Sequence, residues 1–257
     1  MEKIETSKNI QNKYDEQYND RMKSWRELGG KYKSKNILEV IRDQSFKKVL
    51  DFGAGEGSIL KHLDNANQFE ELYALEISDS GIDYIKNRQL QKTKEVKKFD
   101  GYHTDYADDE FDLVYCSHVI EHVEHPRLVL REIKRISKHQ VFEIPLDYSR
   151  HVDTRIAHFL GYGHINIFTP SLFKFLLKSE GFKIENEKHT DLPKEVLKFN
   201  WYQNLKLKKT LSRKAKMYIT AHKSKIARIL FGDKISKEFY HSAYTCFTSS
   251  TGDLKIF

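Results

Sequence analysis

Short apolar runs, separated by segments of helical spacing, recur through the middle of the chain. The runs at residues 49–52, 72–77, 111–116 and 140–145 are mostly apolar and too short for independent helices, as expected of strands covered on both faces. Strands that alternate with helices from about residue 46 to residue 146 predict an α/β fold with a doubly wound, mostly parallel sheet.

The second half of the chain continues the pattern. Thr169 is a suitable N-cap and Pro170 a suitable first residue for a helix, and Gly181 is a suitable stop. Strands are predicted at residues 182–187 and 241–249. The sheet is therefore expected to have seven strands, with a basic helical insertion before the last strand.

That insertion, residues 196–237, carries twelve Lys or Arg residues and one acid, so the rest of a chain of net charge +7 is slightly acidic. Large side chains recur in it at helical spacing and predict one cationic amphipathic helix over residues 211–231. The recurring residues are Leu211, Ala215, Tyr218, Ile219, His222, Ile226, Ile229 and Leu230. The helix could pack on the domain, cover an anionic substrate, or contact a membrane surface or nucleic acid.

The first 44 residues are polar and predicted to be helical, with a break at Gly29 and Gly30. We expect residues 1–44 to form an extension, which is either a partial lid or packed against the sheet, and residues 45–257 to form the main domain. There is no long apolar run and no hydrophobic signal core. The two cysteines are expected to be reduced, which favours a cytoplasmic location.

Three glycines, Gly53, Gly55 and Gly57, follow the first apolar run and precede a helix at Ser58. A strand, a glycine turn and a helix N-terminus form a nucleotide-sized pocket. A dinucleotide fingerprint would need its third glycine at the position of Ser58. With Asp51 in the strand, the motif instead resembles motif I of the class I S-adenosylmethionine-dependent methyltransferases.

The resemblance extends over about residues 45–190 and is strongest to type-11 and type-12 methyltransferase domains. It implies a Rossmann-like methyltransferase fold that binds S-adenosyl-L-methionine. Asp51 would orient the ammonium group, Glu76 would accept the ribose hydroxyls, and Asp100 would meet the adenine amino group. The cofactor-binding residues so predicted are Asp51, Gly53, Gly55, Gly57, Glu76, Ile77, Asp100, Gly101 and Ser117.

Transfer to a hydroxyl needs a positioned acceptor and a base, for which histidine is suited. His118, His122, His151, His158 and His164 all lie in segments expected near the carboxyl end of the sheet. Of these, His122 and His164 are the candidate catalytic residues. Residues 119–123 are predicted to begin a helix, and the loop 147–166 is a predicted substrate-recognition element together with the insertion.

A similar Val-Ile-Glu-His-Val segment occurs in ubiquinone-pathway O-methyltransferases and RNA-terminal 2′-O-methyltransferases. This resemblance implies that Glu121 and His122, with His164 as a distant partner, could hold a divalent ion. Metal-free catalysis and a purely structural role of His122 remain open. Residues 118–122 also match the His-x-x-Glu-His motif of some zinc proteases. Their position at a strand-to-helix junction does not fit such a site.

The sequence thus predicts an S-adenosylmethionine-dependent enzyme that methylates an oxygen of a small, anionic or phosphorylated acceptor, such as a surface-glycan precursor. One alternative is a metal-dependent O-methyltransferase of the RNA or quinone type. Another is a non-catalytic cofactor-binding protein of the same fold. Peripheral membrane contact stays open, and the sequence does not indicate an oligomeric state.

Overall fold

The computed structural model describes residues 4–18, 22–148 and 151–250. Residues 149 and 150 of the predicted loop 147–166 lie outside the described residues, as do residues 1–3 and 19–21 of the extension and 251–257 of the main domain. The strands are β1 (Phe46–Phe52), β2 (Phe69–Glu76), β3 (Thr93–Lys98), β4 (Phe111–Ser117), β5 (Ser137–Pro145), β6 (Phe182–Thr190) and β7 (Ala243–Ser250).

Helices connect the strands and extend the chain at its N-terminus. They are α1 (Lys8–Gln17), α2 (Lys23–Val40), α3 (Ser58–Leu63), α4 (Asp79–Asn87), α5 (Pro126–Ile136), α6 (Ile156–Tyr162), α7 (Pro170–Ser179), α8 (Lys194–Phe199), α9 (Leu211–Ala221), α10 (Lys223–Phe231) and α11 (Asp233–Phe239). The four helices α8 to α11 form the insertion before β7, as the charge pattern predicted.

The seven strands pair in the order β3-β2-β1-β4-β5-β7-β6. Strands β1 to β5 are parallel, and β7 runs antiparallel to both of its neighbours. This confirms the predicted doubly wound, mostly parallel sheet. Because the first five strands share one direction, the loops after β1, β2, β4 and β5 meet at one edge, where ligands bind in such folds.

Each face of the sheet is covered by its own apolar core. One core contains Val129 of α5 and Phe173 of α7 against β4 and β5. The other contains Ile37 of α2 and Leu60 of α3 against β1 and β2. Burial on both faces explains why these strands are continuous apolar runs rather than alternating patterns.

Several predicted boundaries need correction. Strand β5 begins at Ser137, three residues before the prediction, because α5 leads directly into the strand. The predicted loop 147–166 contains a 3₁₀ turn (Val152–Arg155) and α6. The predicted single helix over 211–231 is two helices, because the backbone of His222 departs from helical geometry between α9 and α10.

The predicted helix break at Gly29 and Gly30 is wrong, since α2 continues through both residues. A Cβ atom at Gly30 would lie 2.6 Å from the carbonyl oxygen of Ser58, whereas nothing lies within 4 Å of one at Gly29. Gly30 therefore permits the close approach of α2 to the start of α3. Among the described residues, no helix combines the length and apolarity needed to cross a membrane.

The two adjacent glycines provide a matched pair of substitutions. Gly30→Ala should lower the free energy of unfolding by about 1–3 kcal/mol, because the new methyl group forces α2 away from Ser58. Gly29→Ala should leave it unchanged or raise it by up to about 1 kcal/mol, since alanine favours the helix. Urea unfolding of both variants measures the difference, and equal effects would contradict the close-packing explanation.

Candidate active site

The glycine turn after β1 is fixed to the end of β2. The amides of Gly53 and Ala54 both donate to the carbonyl oxygen of Leu75, at 3.0 and 2.9 Å. All three glycines of the turn have positive φ, with Gly53 at 83°, and a Cβ there would lie 2.6 Å from Val119. A side chain at this position would be strained and would collide.

Glu76 holds the glycine turn from the end of β2. Its carboxylate is buried and accepts hydrogen bonds from the amides of Gly55 (2.7 Å) and Ser78 (3.0 Å). Burial raises the pKa of Glu76, and these amides offset part of the rise. Each oxygen has a second lone pair, so the same carboxylate can still accept two hydroxyl groups.

Asp51 lies in β1 beside the turn and is buried. The hydroxyl of Tyr115 donates to it at 2.7 Å. Burial raises the pKa of Asp51 to about 8; the Tyr115 hydrogen bond opposes this rise and the charge of Glu76 adds to it. A cation placed next to Asp51 would favour its ionised form.

Asp100, Gly101 and Ile77, three of the predicted cofactor contacts, lie close to one another. Asp100 accepts hydrogen bonds from the amides of Tyr102 (2.8 Å) and His103 (2.7 Å). Gly101 has φ 95°, and a Cβ there would lie 3.7 Å from the side chain of Ile77 and 2.0 Å from that of Thr6. The loops after β2 and β3 therefore meet at a glycine that the N-terminal segment contacts.

The N-terminal segment contacts three of these loops. The Thr6 amide donates to the Asp100 carbonyl (2.9 Å), and Asp15 accepts from the amide of Asp79 (2.9 Å). The hydroxyl of Tyr18 lies 3.0 Å from where a Cβ of Gly55 would stand. These contacts agree with the predicted partial lid, which stays a prediction.

Glu143 of β5 organises the end of β4. This buried carboxylate accepts hydrogen bonds from Asn36 (2.9 Å), Thr245 (2.7 Å) and Ser117 (3.3 Å). Ser117, a predicted cofactor contact, is thereby held against β5. An acid within an apolar strand was the sequence signal for Glu143, and the sequence analysis missed it.

His118 lies between two glutamates in left-handed backbone geometry, at φ 58°. Its Nδ1 is 3.3 Å from Glu121 and its Nε2 is 3.4 Å from Glu143. Burial and the charge of Lys33 lower the pKa of His118, but the two carboxylates outweigh them and the pKa is raised. Burial alone would raise the pKa of Glu121, yet the flanking imidazoles hold it at about 2.

Lys33 of α2 is the second basic residue near these carboxylates. We define the charge cluster as the five ionisable residues Lys33, Asp51, His118, Glu121 and Glu143. Burial lowers the pKa of Lys33, and attraction to the three carboxylates of the cluster opposes that change. Nothing in the sequence distinguishes Lys33 from the other lysines of its polar helix, so sequence reasoning could not have found it.

The predicted helix over Val119–Val123 does not form, since α5 begins only at Pro126. The backbone amide of Asn166 donates to the carbonyl of Glu121 at 3.0 Å. Its side-chain amide donates to the carbonyls of Ile120 and Val123 at 3.2 and 2.7 Å. A distant segment thus takes the acceptors that helical hydrogen bonds would need.

The same contact brings His122 and His164 together, with ring centroids 4.8 Å apart. The Nδ1 of His122 is 3.0 Å from the carbonyl of Gly163, and the Nδ1 of His164 is 2.5 Å from Asp147. Because a carbonyl can only accept, His122 carries its proton on Nδ1 and has a lone pair on Nε2. Burial lowers the pKa of His122, Glu121 opposes this, and His164 adds to it.

Glu121, His122 and His164 each present one ligand atom within 4.8 Å of the others. No donor among the described residues meets either oxygen of Glu121 in hydrogen-bonding geometry. Such a set of acceptors could hold a divalent cation. His151 and His158, by contrast, are exposed, and the ring of His158 makes an edge-to-face contact with Tyr162 of its own helix α6.

A family model described as a methyltransferase domain matches residues 14–187. No curated protein matches the sequence. The chain is similar to the structure of geranyl diphosphate C-methyltransferase from Streptomyces coelicolor A3(2), in complex with Mg²⁺, geranyl diphosphate and S-adenosyl-L-homocysteine. That similarity has a TM-score of 0.56 at 10% identity, over 86% of this chain and 79% of that one.

Two further structures have the same fold. A SAM dependent methyltransferase from Aquifex aeolicus has a TM-score of 0.51 at 12% identity, over 84% of this chain and 88% of its own. The cyclase SpnF has a TM-score of 0.54 at 14% identity, over 84% of this chain and 79% of its own. At such identities the likeness shows the fold alone, and the cyclase indicates that the fold does not determine the reaction.

Replacement of His118 should show how much this imidazole stabilises the carboxylates of the charge cluster. We expect His118→Gln to lower the free energy of unfolding by about 2–3 kcal/mol, because Glu121 and Glu143 then face each other without it. A raised histidine pKa stabilises the fold below about pH 6.5, and this stabilisation is lost as pH rises through the raised value.

The difference between the wild type and His118→Gln should therefore be larger near pH 6 than near pH 9. Denaturant unfolding at both pH values measures it, with the exposed His158→Gln as the control. A difference that does not change with pH would contradict the assigned role of His118.

Proposed function

Because the chain belongs to the methyltransferase domain family and is an S-adenosylmethionine-dependent methyltransferase, we propose that its acceptor is a hydroxyl oxygen of a small anionic molecule. The observation that carries this proposal is the pair His164 and Asp147 beside His122, at the edge of the sheet where the cofactor motifs end. A paired imidazole near neutral pH is a suitable base for a hydroxyl.

The residues at the glycine turn fit S-adenosylmethionine. Asp51, with a pKa near 8, would gain from the adjacent ammonium group of the cofactor. Glu76 has lone pairs for both ribose hydroxyls, and Asp100 and Gly101 lie beside Ile77, where the adenine would bind in this proposal. Ser117 would lie beside the methionine part.

When bound, the cofactor supplies an activated methyl group on a sulfonium. The chain itself has to orient the acceptor oxygen and take its proton. His164 accepts that proton on Nε2, because Asp147 already engages its Nδ1 and stabilises the resulting imidazolium. His122, which burial keeps neutral, orients the acceptor by accepting a hydrogen bond on its own Nε2.

The basic insertion supports an anionic acceptor. Burial lowers the pKa of Lys223 in α10, and the charges of Asp191 and of Asp147, the partner of the base, oppose this change. Tyr148 contacts Phe239 of α11 with ring centroids 5.9 Å apart. Loop 147–166 and insertion 196–237 thus form the acceptor side in this proposal. The described part of the N-terminal extension would form a partial lid through Thr6, Asp15 and Tyr18.

The cofactor assignment predicts binding of S-adenosylhomocysteine. Asp51→Asn and Glu76→Gln should each weaken it by about tenfold to a hundredfold, because a charged hydrogen-bond partner is lost. Calorimetry measures the affinities, and the exposed Asp43→Asn is the control. Wild-type affinity should also rise with pH up to about 8, since binding requires ionised Asp51, and Asp51→Asn should remove this dependence.

The base assignment predicts that His164→Gln lowers kcat by about a hundredfold or more and that Asp147→Asn lowers it less. Transfer of a radiolabelled methyl group into a small-molecule cell extract provides the assay and leads to the acceptor. Affinity for S-adenosylhomocysteine should be unchanged in both variants and in the control His158→Gln. Unchanged turnover in His164→Gln would refute the assignment.

A metal-dependent reaction is the second candidate. It is favoured by the Glu121 oxygens beside His122 and His164, which accept no hydrogen bond from the described residues. A divalent ion there would lower the pKa of the acceptor hydroxyl directly. This candidate requires that Mg²⁺ or Mn²⁺ raise the thermal stability of the wild type but not of Glu121→Gln, and that a chelator abolish turnover. Activity that persists in the presence of a chelator would support the metal-free mechanism instead.

A further inference from the structure

The apolar stripe of the basic insertion faces solvent rather than the domain. Leu211 is 84% exposed, Ile229 83% and Leu230 65%, and Tyr218 and Ile219 are each more than half exposed. Amphipathic helices of a globular domain normally bury such a stripe. The sequence analysis allowed a helix that packs its apolar stripe on the domain. The structure shows the opposite orientation, with the stripe exposed.

Small and unbranched residues form the face that packs on the domain. Met217, Ala227 and Ser224 are the buried residues of α9 and α10. The hydroxyl of Ser224 donates to Asp191 at 2.5 Å and its carbonyl accepts from Ser236, so the contact is specific. Helix α10 is therefore fixed in place, and the exposure of its large side chains follows from its orientation.

Cations border the exposed stripe. Lys214 and Lys216 in α9 and Lys225 in α10 are exposed. Among the described residues no acid forms an ion pair with any of these three. At 100° per residue they lie on either side of the apolar residues of their helices. Aliphatic side chains flanked by lysines are typical of helices that lie in the interface of an anionic membrane.

We propose that α9 and α10 form a docking surface for an anionic lipid bilayer, and we call it the α9–α10 surface. Its apolar side chains would enter the acyl boundary, while Lys214, Lys216 and Lys225 would meet the negative headgroups. Charge complementarity favours lipid over a neutral partner. Leu211, Ile229 and Leu230 favour lipid over RNA, because phosphate binding gains nothing from exposed aliphatic groups.

The α9–α10 surface is contiguous with the acceptor side of the active site. Phe231 at the end of α10 stacks on Tyr240, and Phe239 of the next helix contacts Tyr148. Docking would therefore bring the acceptor loop close to the headgroups. The proposal itself requires no catalysis, and its test is independent of the methyl acceptor.

Vesicle cosedimentation of the full chain tests the proposal. Binding to vesicles of phosphatidylcholine mixed with phosphatidylglycerol is expected, and binding to pure phosphatidylcholine should be at least about tenfold weaker. Ile229→Ser with Leu230→Ser should reduce binding to the anionic vesicles at least about tenfold, because the buried apolar area is lost. Both positions are exposed, so the fold should be retained, which circular dichroism verifies.

A charge-matched pair of variants locates the surface. Lys214→Glu with Lys225→Glu should abolish vesicle binding, whereas Lys47→Glu with Lys94→Glu, exposed on the sheet, should not. Equal loss in both variants, or equal binding to neutral vesicles, would overturn the proposal. So would tight binding of an RNA oligonucleotide without vesicle binding, or a dimer in light scattering that Ile229→Ser with Leu230→Ser dissociates.

Discussion

The active site depends on buried ionisable groups whose opposite charges stabilise one another. All members of the charge cluster except Lys33 of α2 lie where β1, β4 and β5 end, and each alone would be costly to desolvate. His118 offsets Glu121 and Glu143 in part, and Lys33 adds a second cation near the same carboxylates. Since each pKa depends on its neighbours, the cluster acts as one unit rather than as separate residues.

The features that were predictable from the sequence are the local ones. The glycine turn at Gly53, the acid Glu76 at the end of the next strand and the capped helix after Thr169 are encoded by neighbouring residues. Their order along the chain also determines the parallel part of the sheet, because short apolar runs alternate with helices. Physical rules that act over a few residues are sufficient for these features.

What the sequence could not show depends on contacts between distant segments. Lys33, Glu143 and Asp147 join the site only through the packing of α2, β5 and the following loop. The helix expected at residues 119–123 fails because Asn166 takes its carbonyls. Likewise, helical spacing correctly identified the apolar stripe at Leu211, but spacing does not tell which face of a helix meets the domain.

The close approach at Gly30 couples packing to electrostatics. Gly30 and Lys33 are three residues apart in α2, so they lie on nearly the same side of the helix. The position of α2 against Ser58 therefore bears on where Lys33 lies relative to the carboxylates whose charges act on it. A steric change at the helix crossing would thus alter proton affinities in the active site without replacing any titratable group. A substitution at a packing contact could then have the effect of an active-site variant.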